Sequence, residues 1–427
     1  MDFGIIELDT DQQRFQEYAC EVLDGIVTDQ VRDKLRRSGE LFDEGMIAAL
    51  GAKGLAQPGW PVEDGGAGLD PVRLRIFDTE LLRRGIASIG GDMIWKAVAR
   101  YGVPDLVAEL KPQFAAGTVH FCAGFTEPDG GSDIAAAKVR AVRDGDEWVI
   151  NGSKIFTTSA HQCQYVFLIT RTDPEQPKHR GLTMFLVPLS TPGIEIRAVH
   201  TFGGERTNIV YYGDVRVPDR YRLGRVNDGW TVLRGPLDAE HDFAQQHDGL
   251  RETFARQMMR RSPIYRSFDA ALDWARTARR PDGTHPIDDP AVRTRLGRVA
   301  ADLEMAECAE GPLGRVASAD AMMRCSAELV DLVGTEALLP YGADGAVGDG
   351  AVDDAHRFAQ GAATYGGTVE VFREMIAQHV LGLPRAERPG SRAFISSGRE
   401  AAGAARALGD RPGATPGTAV VQLAGTT

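Results

Sequence analysis

The apolar residues of this chain change their spacing twice, and that double change constrains the fold more than any other feature. From residue 9 to about 115 they recur at three- and four-residue steps, as Phe15, Tyr18, Ala19, Val22, Leu23 and Ile26 do, which gathers them on one helix stripe. From about 119 to 225 the step shortens towards two, and beyond Asp228-Gly229-Trp230 the helical step returns. Side chains alternate between the faces of a strand but repeat every 3.6 residues on a helix, so one segment cannot serve both patterns. Helices, a β-domain and helices again make a mainly α chain with a central β-domain. That order argues against a doubly wound nucleotide fold.

Local signals sharpen the elements. The first helix starts at Asp9 or Thr10, and Asp70-Pro71 opens another: Asp caps free N–H groups, while Pro fits a first turn that needs no donor there. Leu74, Phe77, Leu81 and Leu82 follow on its buried side, and Gly59 to Gly66 form a turn-rich loop. Strand-like runs cover 147–150, 164–169, 183–187 and 208–212, separated by turn residues such as Asp144-Gly145-Asp146 and Asn151-Gly152. Val292, Leu296, Val299, Ala300, Leu303 and Ala306 give the clearest later helix. The expected domains are 1–118 helical, 119–226 β, 227–386 helical, and a disordered tail at 387–427 with one short helix near 398–408.

The net charge of −12 argues against a nucleic acid or an anionic membrane as the main partner, yet leaves room for an anionic ligand in a basic pocket. Cys20, Cys122, Cys163, Cys308 and Cys325 are scattered without a C-x-x-C pair, so reduced thiols are expected rather than disulfides or zinc. An acidic start and no apolar run near the ~18 residues of a membrane span make a cytoplasmic protein the expectation. The glycines at 65–68 follow no strand, and neither a phosphate-loop signature nor a Gly-x-Ser-x-Gly elbow is present.

The most specific segment is Phe125-Thr126-Glu127-Pro128-Asp129-Gly130-Gly131-Ser132-Asp133. On its residues alone it is either a polar loop with a tight turn or a ligand loop. In the second reading its glycines admit close backbone approach and Thr126 and Ser132 offer hydroxyls. A Thr-Glu-Pro-x-x-Gly-Ser-Asp pattern followed by Gly145-Asp146-Glu147-Trp148-Val149-Ile150-Asn151-Gly152-Ser153-Lys154 resembles the acyl-CoA dehydrogenase family. The resemblance continues through Asp214-Val215-Arg216-Val217-Pro218, Gly229-Trp230, and Gly367-Thr368 to Gly382-Leu383-Pro384-Arg385, spanning roughly residues 10–385.

The resemblance implies a helical N-terminal domain, a β-barrel-like middle domain, a C-terminal four-helix bundle and an FAD cofactor. It places Phe125, Thr126, Gly131, Ser132, Phe156 and Thr158 at the flavin, with Arg279, Thr368 and Glu370 as further cofactor residues. Ser132, Asp238, His241, Gly366 and Gly367 would border the acyl-CoA. The implied reaction takes a proton alpha to a thioester carbonyl while hydride leaves the beta carbon. It yields a trans-2-enoyl-CoA, with electrons going to an electron-transfer flavoprotein.

Many family members carry the base in Tyr-Glu-Gly-Thr, but this chain reads Tyr365-Gly366-Gly367-Thr368. A second branch places its glutamate just after the Gly-Trp that opens the C-terminal domain, and Glu240 matches it. His241 stands where arginine is usual. Arg279-Arg280-Pro281-Asp282-Gly283 lacks the family's aromatic, and Asp331-Leu332-Val333-Gly334-Thr335 replaces a Gln-x-x-Gly-Gly segment that grips a neighbour's FAD. Glu370 stands where glutamine is common. The expected assembly is a homo- or hetero-tetramer, with an α2β2 complex of related subunits as the working expectation. Steroid-degrading bacterial relatives form such complexes. A non-catalytic partner subunit and a flavin monooxygenase or oxidase remain alternatives.

Overall fold

The computed structural model describes residues 7–86, 92–240, 258–260 and 262–384. The expected tail at 387–427, with its short helix, lies outside them. The chain divides into two compact units, Met1–Ile376 and Ala377–Thr427, and the first holds every element that carries the candidate site. In the second, Leu383 N donates to Ala377 O at 2.8 Å.

The first helix, α1 (Thr10–Ile26), begins where the sequence places it. Asp9 accepts from Gln12 N, and the Gln12 side chain answers to Asp9 N, a reciprocal capping box. Ala19, Val22 and Leu23 are buried, whereas Tyr18, at the edge of the stripe, is 45% exposed. Helices α2 (Asp29–Ser38) and α3 (Glu44–Gly51) follow, then α4 (Pro71–Arg83), capped by Asp70 with Pro71 in its first turn. Phe77 and Leu81 are buried under it, while Leu74 and Leu82 are only half-buried. Helices α5 (Asp92–Tyr101) and α6 (Pro104–Ala115) lead to the sheet.

Its strands are β1 (Phe121–Gly124), β2 (Arg140–Asp144), β3 (Glu147–Lys154), β4 (Tyr165–Arg171), β5 (Leu182–Pro188), β6 (Ile194–His200), β7 (Arg206–Pro218) and β8 (Arg222–Leu223). They order as β6-β7-β3-β2-β4-β5-β8, with β1 parallel to β4. The sheet is not closed into a barrel: β8 has only two paired residues with which to end one edge, and β6 ends the other. Gly145 supplies the positive φ of the β2–β3 turn. Asn151-Gly152, expected to separate strands, is instead a bulge inside β3. Asn151 and Asp214 exchange two hydrogen bonds there, and a Cβ on Gly152 would lie 2.9 Å from Val139 Cγ2.

Helix α7 (Gly229–Glu240) leaves the sheet. Next come α8 (Ile264–Thr277), α9 (Pro290–Cys308), α10 (Gly311–Val333) and α11 (Ala351–Ala362), which share one apolar core, the expected four-helix bundle. Val292, Leu296, Val299, Leu303 and Ala306 of α9 are buried in it. A short α12 (Val369–Met375) follows. Among the described residues, no helix is long and apolar enough to cross a membrane.

Candidate active site

The loop from Phe125 to Asp133 is fastened from beneath. Glu127 accepts from Lys138 N at 2.8 Å, from Val139 N at 2.9 Å and from Lys154 Nζ at 2.8 Å, and Lys154 Nζ also reaches Phe125 O at 3.1 Å. The Lys154 side chain is fully buried. Burial brings its pKa down to about 8 although the Glu127 charge opposes this. Burial alone would raise the Glu127 pKa, but the Lys154 ammonium and the backbone donors outweigh it and hold the carboxyl below its ordinary value. Above this pair, Glu127 and Gly130 exchange backbone hydrogen bonds of 3.1 and 3.0 Å in a tight turn. A Cβ on Gly131 would sit 3.1 Å from Thr126 Cγ2, close enough that the threonine methyl would have to give way. Ser132 is exposed.

Ile155 N donates to Thr126 O at 2.9 Å, which joins this loop to the turn after β3. Phe156 and Ser159 have φ of 57° and 62°, left-handed values that a non-glycine residue adopts only when its surroundings enforce them. Here Thr157 N donates to Asn208 O and Asn208 Nδ2 donates to Thr157 O, each at 3.0 Å, while Thr158 Oγ1 lies 3.1 Å from Thr207 Oγ1. The result holds the Phe156 ring out at 56% exposure, although a large aromatic is ordinarily buried. Buried Thr157 Oγ1 has no hydrogen-bond partner among the described residues. An outward aromatic face, nearby hydroxyls and a glycine-lined loop fit a flat, polar-edged ring with phosphates, as FAD is. The Ile155–Thr126 bond brings the loop that carries Phe125, Thr126, Gly131 and Ser132 beside the turn that carries Phe156 and Thr158.

Helix α7 is seated by its first residue. A Cβ on Gly229 would lie 2.8 Å from Thr183 Cα, so the helix start presses on the β5 backbone. Asn227 N donates to Thr183 Oγ1 at 2.9 Å just before it, and Val232 and Leu233 are buried beneath. Asp238 and Glu240 lie on this helix, Glu240 as its last described residue. His241 lies outside the described residues.

Gly366 and Gly367 have φ of 57° and 94°. Arg315 of α10, only 2% exposed, holds their loop: its Nη2 donates to Ala362 O at 2.8 Å, to Gly367 O at 3.2 Å and also to Tyr365 O. Tyr365 OH donates to Glu205 Oε2 at 2.7 Å. Glu205 lies two residues before Thr207, so the glycine loop and the Phe156 turn are tied to the same start of β7. Thr368 caps α12 by accepting from Val371 N at 3.3 Å, and Glu370 is exposed on that helix.

Arg279 is not gathered with the others. It is exposed after α8, and its Nη1 donates to Gly283 O at 3.3 Å. Asp331 is paired with Arg295 at 2.6 Å. The sequence reading gave Glu127, Lys154, Asn208 and Arg315 no role. Arg315 had a signal, because it stands at helical spacing with Ala319, Met322 and Leu329, an apolar stripe in which a lone cation demands partners.

Comparison with known proteins adds to this geometry. Residues 9–118, 122–214 and 251–381 match the models described as acyl-CoA dehydrogenase N-terminal, middle and C-terminal domains. The chain is 32% identical to acyl-CoA dehydrogenase FadE26 of Mycobacterium tuberculosis, over 82% of this chain and 90% of that protein. It is similar in structure to a chain of the ChsE4-ChsE5 complex from Mycobacterium tuberculosis, with TM-score 0.76 and 29% identity, covering 90% of this chain and 100% of that one. A chain of the Tcur3481-Tcur3483 steroid ACAD is similar at TM-score 0.76 and 26% identity, again covering 90% and 100%.

Proposed function

Because the chain belongs to the acyl-CoA dehydrogenase family, we propose that it oxidises an acyl-CoA thioester to the trans-2-enoyl-CoA, with Glu240 taking the proton alpha to the carbonyl. FAD, when bound, supplies the acceptor for the hydride from the beta carbon and the route of electrons to an electron-transfer flavoprotein. Phe125, Thr126, Gly131, Ser132, Phe156 and Thr158 hold it from the β-domain, and Thr368 and Glu370 contribute from the helical part, while Arg279 is the residue that would reach a neighbouring subunit's FAD. Ser132, Asp238, His241 and Gly367 border the substrate.

The observation that carries this assignment is that position 366 is glycine while α7 ends on a glutamate, Glu240. Gly366 has no carboxylate, and its φ of 57° is one that glutamate would adopt only with strain. Position 240 falls seven residues, about two helical turns, beyond buried Leu233 on α7. The reaction requires a water-poor setting for this base, because a carboxylate gains basicity by losing hydration. Gly366 keeps its N–H as a donor to the thioester oxygen, where charge develops as the proton leaves.

The partner of this chain in an α2β2 assembly is a related subunit, and the acyl group is steroid-derived. The similarity to a complex and to a steroid ACAD supports both statements. Exposed Arg279, bound to its own loop, and the carboxylate of Asp331, which would repel a pyrophosphate, support the first of them. Glu240→Gln tests the assignment. The variant should stay folded and yellow yet fail to bleach its flavin with a steroid acyl-CoA, and normal bleaching would remove Glu240 from the mechanism. Tight FAD and full activity in the chain expressed alone would overturn the two-subunit reading.

A further inference from the structure

The connection between α2 and α3 docks on the start of β7 and encloses a polar cluster that the reaction above does not use. Gly39 permits the contact: its φ is 70°, a Cβ there would lie 2.3 Å from Gly204 O, and Gly39 O accepts from Arg206 N at 2.8 Å. The next residue, Glu40, places Oε1 3.4 Å from His161 Nε2. His161 Nδ1 lies 3.3 Å from Asn208 Nδ2, and that same amide nitrogen donates to Thr157 O at 3.0 Å.

These contacts dictate a protonation state. Thr157 O can only accept, so the amide edge of Asn208 turned to it is the NH2. His161 Nδ1 faces the same NH2 and must therefore be the bare, accepting nitrogen, which leaves the ring proton on Nε2 to be donated to Glu40. A second proton on His161 would set N–H against NH2. Flipping the amide to relieve this would turn Oδ1 on Thr157 O, so the charged ring costs one contact or the other.

We propose that Glu40, His161 and Asn208 are positioning residues that hold the Phe156–Ser159 turn in its left-handed conformation, and that they do so only while His161 is neutral. The consequence for cofactor retention rests on the reading that this turn holds FAD. The charged groups facing His161 are Glu40 and Glu44 from the helical side and Arg206 from β7. Burial first, then Arg206, lower its pKa; Glu40 and Glu44 oppose them without prevailing. With the folded value below the unfolded one, the contribution is complete above the ordinary 6.5 and is lost as pH falls through the folded value.

The test follows hydrogen exchange at the Thr157 and Ala160 amides, together with FAD retention, from about pH 8 to about pH 5. It uses the full chain in the assembly in which it purifies. Protection should fall about tenfold per pH unit below the midpoint, the slope of one proton, with FAD release following the same curve. Glu40→Gln should move the midpoint to lower pH, Arg206→Gln to higher pH, and His161→Gln should abolish the titration. A scaffold role alone would weaken protection equally at all pH values. Midpoints unmoved in both charge variants, or an unchanged acid loss in His161→Gln, would overturn the proposal. Amides that titrate as expected in a chain that retains no FAD at any pH would sustain the relay and refute the cofactor reading instead.

Discussion

Lys154 Nζ and Glu127 Oε1 lie 2.8 Å apart beneath the Phe125–Asp133 loop, and the same ammonium holds Phe125 O at 3.1 Å. A buried pair of this kind gives little net stability against an apolar replacement, but removing one partner strands a charge. Lys154→Met should therefore lower stability by about 3–5 kcal/mol and loosen FAD. The double variant Lys154→Met with Glu127→Gln should recover part of the stability without recovering the cofactor, because Phe125 O has still lost its donor. Denaturant unfolding and flavin absorbance separate the two effects.

The same lysine sets an alkaline signature. An ordinary lysine keeps its proton to 10.5, but the buried one releases it near about 8. Between those values the unfolded chain binds the extra proton, so this group makes folding more favourable as pH rises, by at most about 1.4 kcal/mol per pH unit. Unfolding free energy of the parent minus that of Lys154→Met, followed across this window, should rise with pH. A flat difference would show that Lys154 is not shifted.

Arg315 is the support of the glycine loop. Arg315→Met should leave three carbonyls without their buried donor, at about 1–3 kcal/mol for each one that finds no water. Freed of that anchor, the loop should position Gly366 N–H poorly, so kcat for thioester oxidation should fall and amide exchange at 362–367 should quicken. Arg315→Lys should recover part of the loss, because all three carbonyls face one nitrogen, Nη2, and an ammonium also offers three donors from one nitrogen.

The caps and periods of α1, α4 and α9 were legible because they are local: Asp9, Asp70 and the Val292-to-Ala306 stripe each declare a helix from a few neighbouring residues. β1, β2, β6 and β8 went unread, since two to five residues in three of them and a half-exposed edge in β6 leave little alternation to detect. Asn151-Gly152 misled for a related reason. The pair is a turn signal in sequence, and only its partners Asp214 and Val139, distant in the chain, make it a bulge. The site divides in the same way. The Thr126-to-Ser132 loop is one contiguous motif, but Asn208, Glu40 and Arg315 act across 50 to 121 residues of chain, where no spacing rule reaches.

Two glycines of α7 should respond oppositely to one added methyl. At Gly229 the new Cβ meets the backbone of Leu182 and Thr183 at 2.8 to 2.9 Å, atoms that cannot turn aside as a side chain would. Gly229→Ala should lift the helix start from β5, lowering stability by about 1–3 kcal/mol. A displacement of about 1 Å passed along α7 to Glu240 should cost on the order of a hundredfold in kcat. At Gly235 an added Cβ would meet nothing within 4 Å among the described residues. Gly235→Ala should therefore gain about 0.5–1 kcal/mol from helix propensity alone and leave kcat unchanged. Thermal melting with single-turnover flavin bleaching reads both, and equal effects at the two positions would refute the seating of α7 through Gly229.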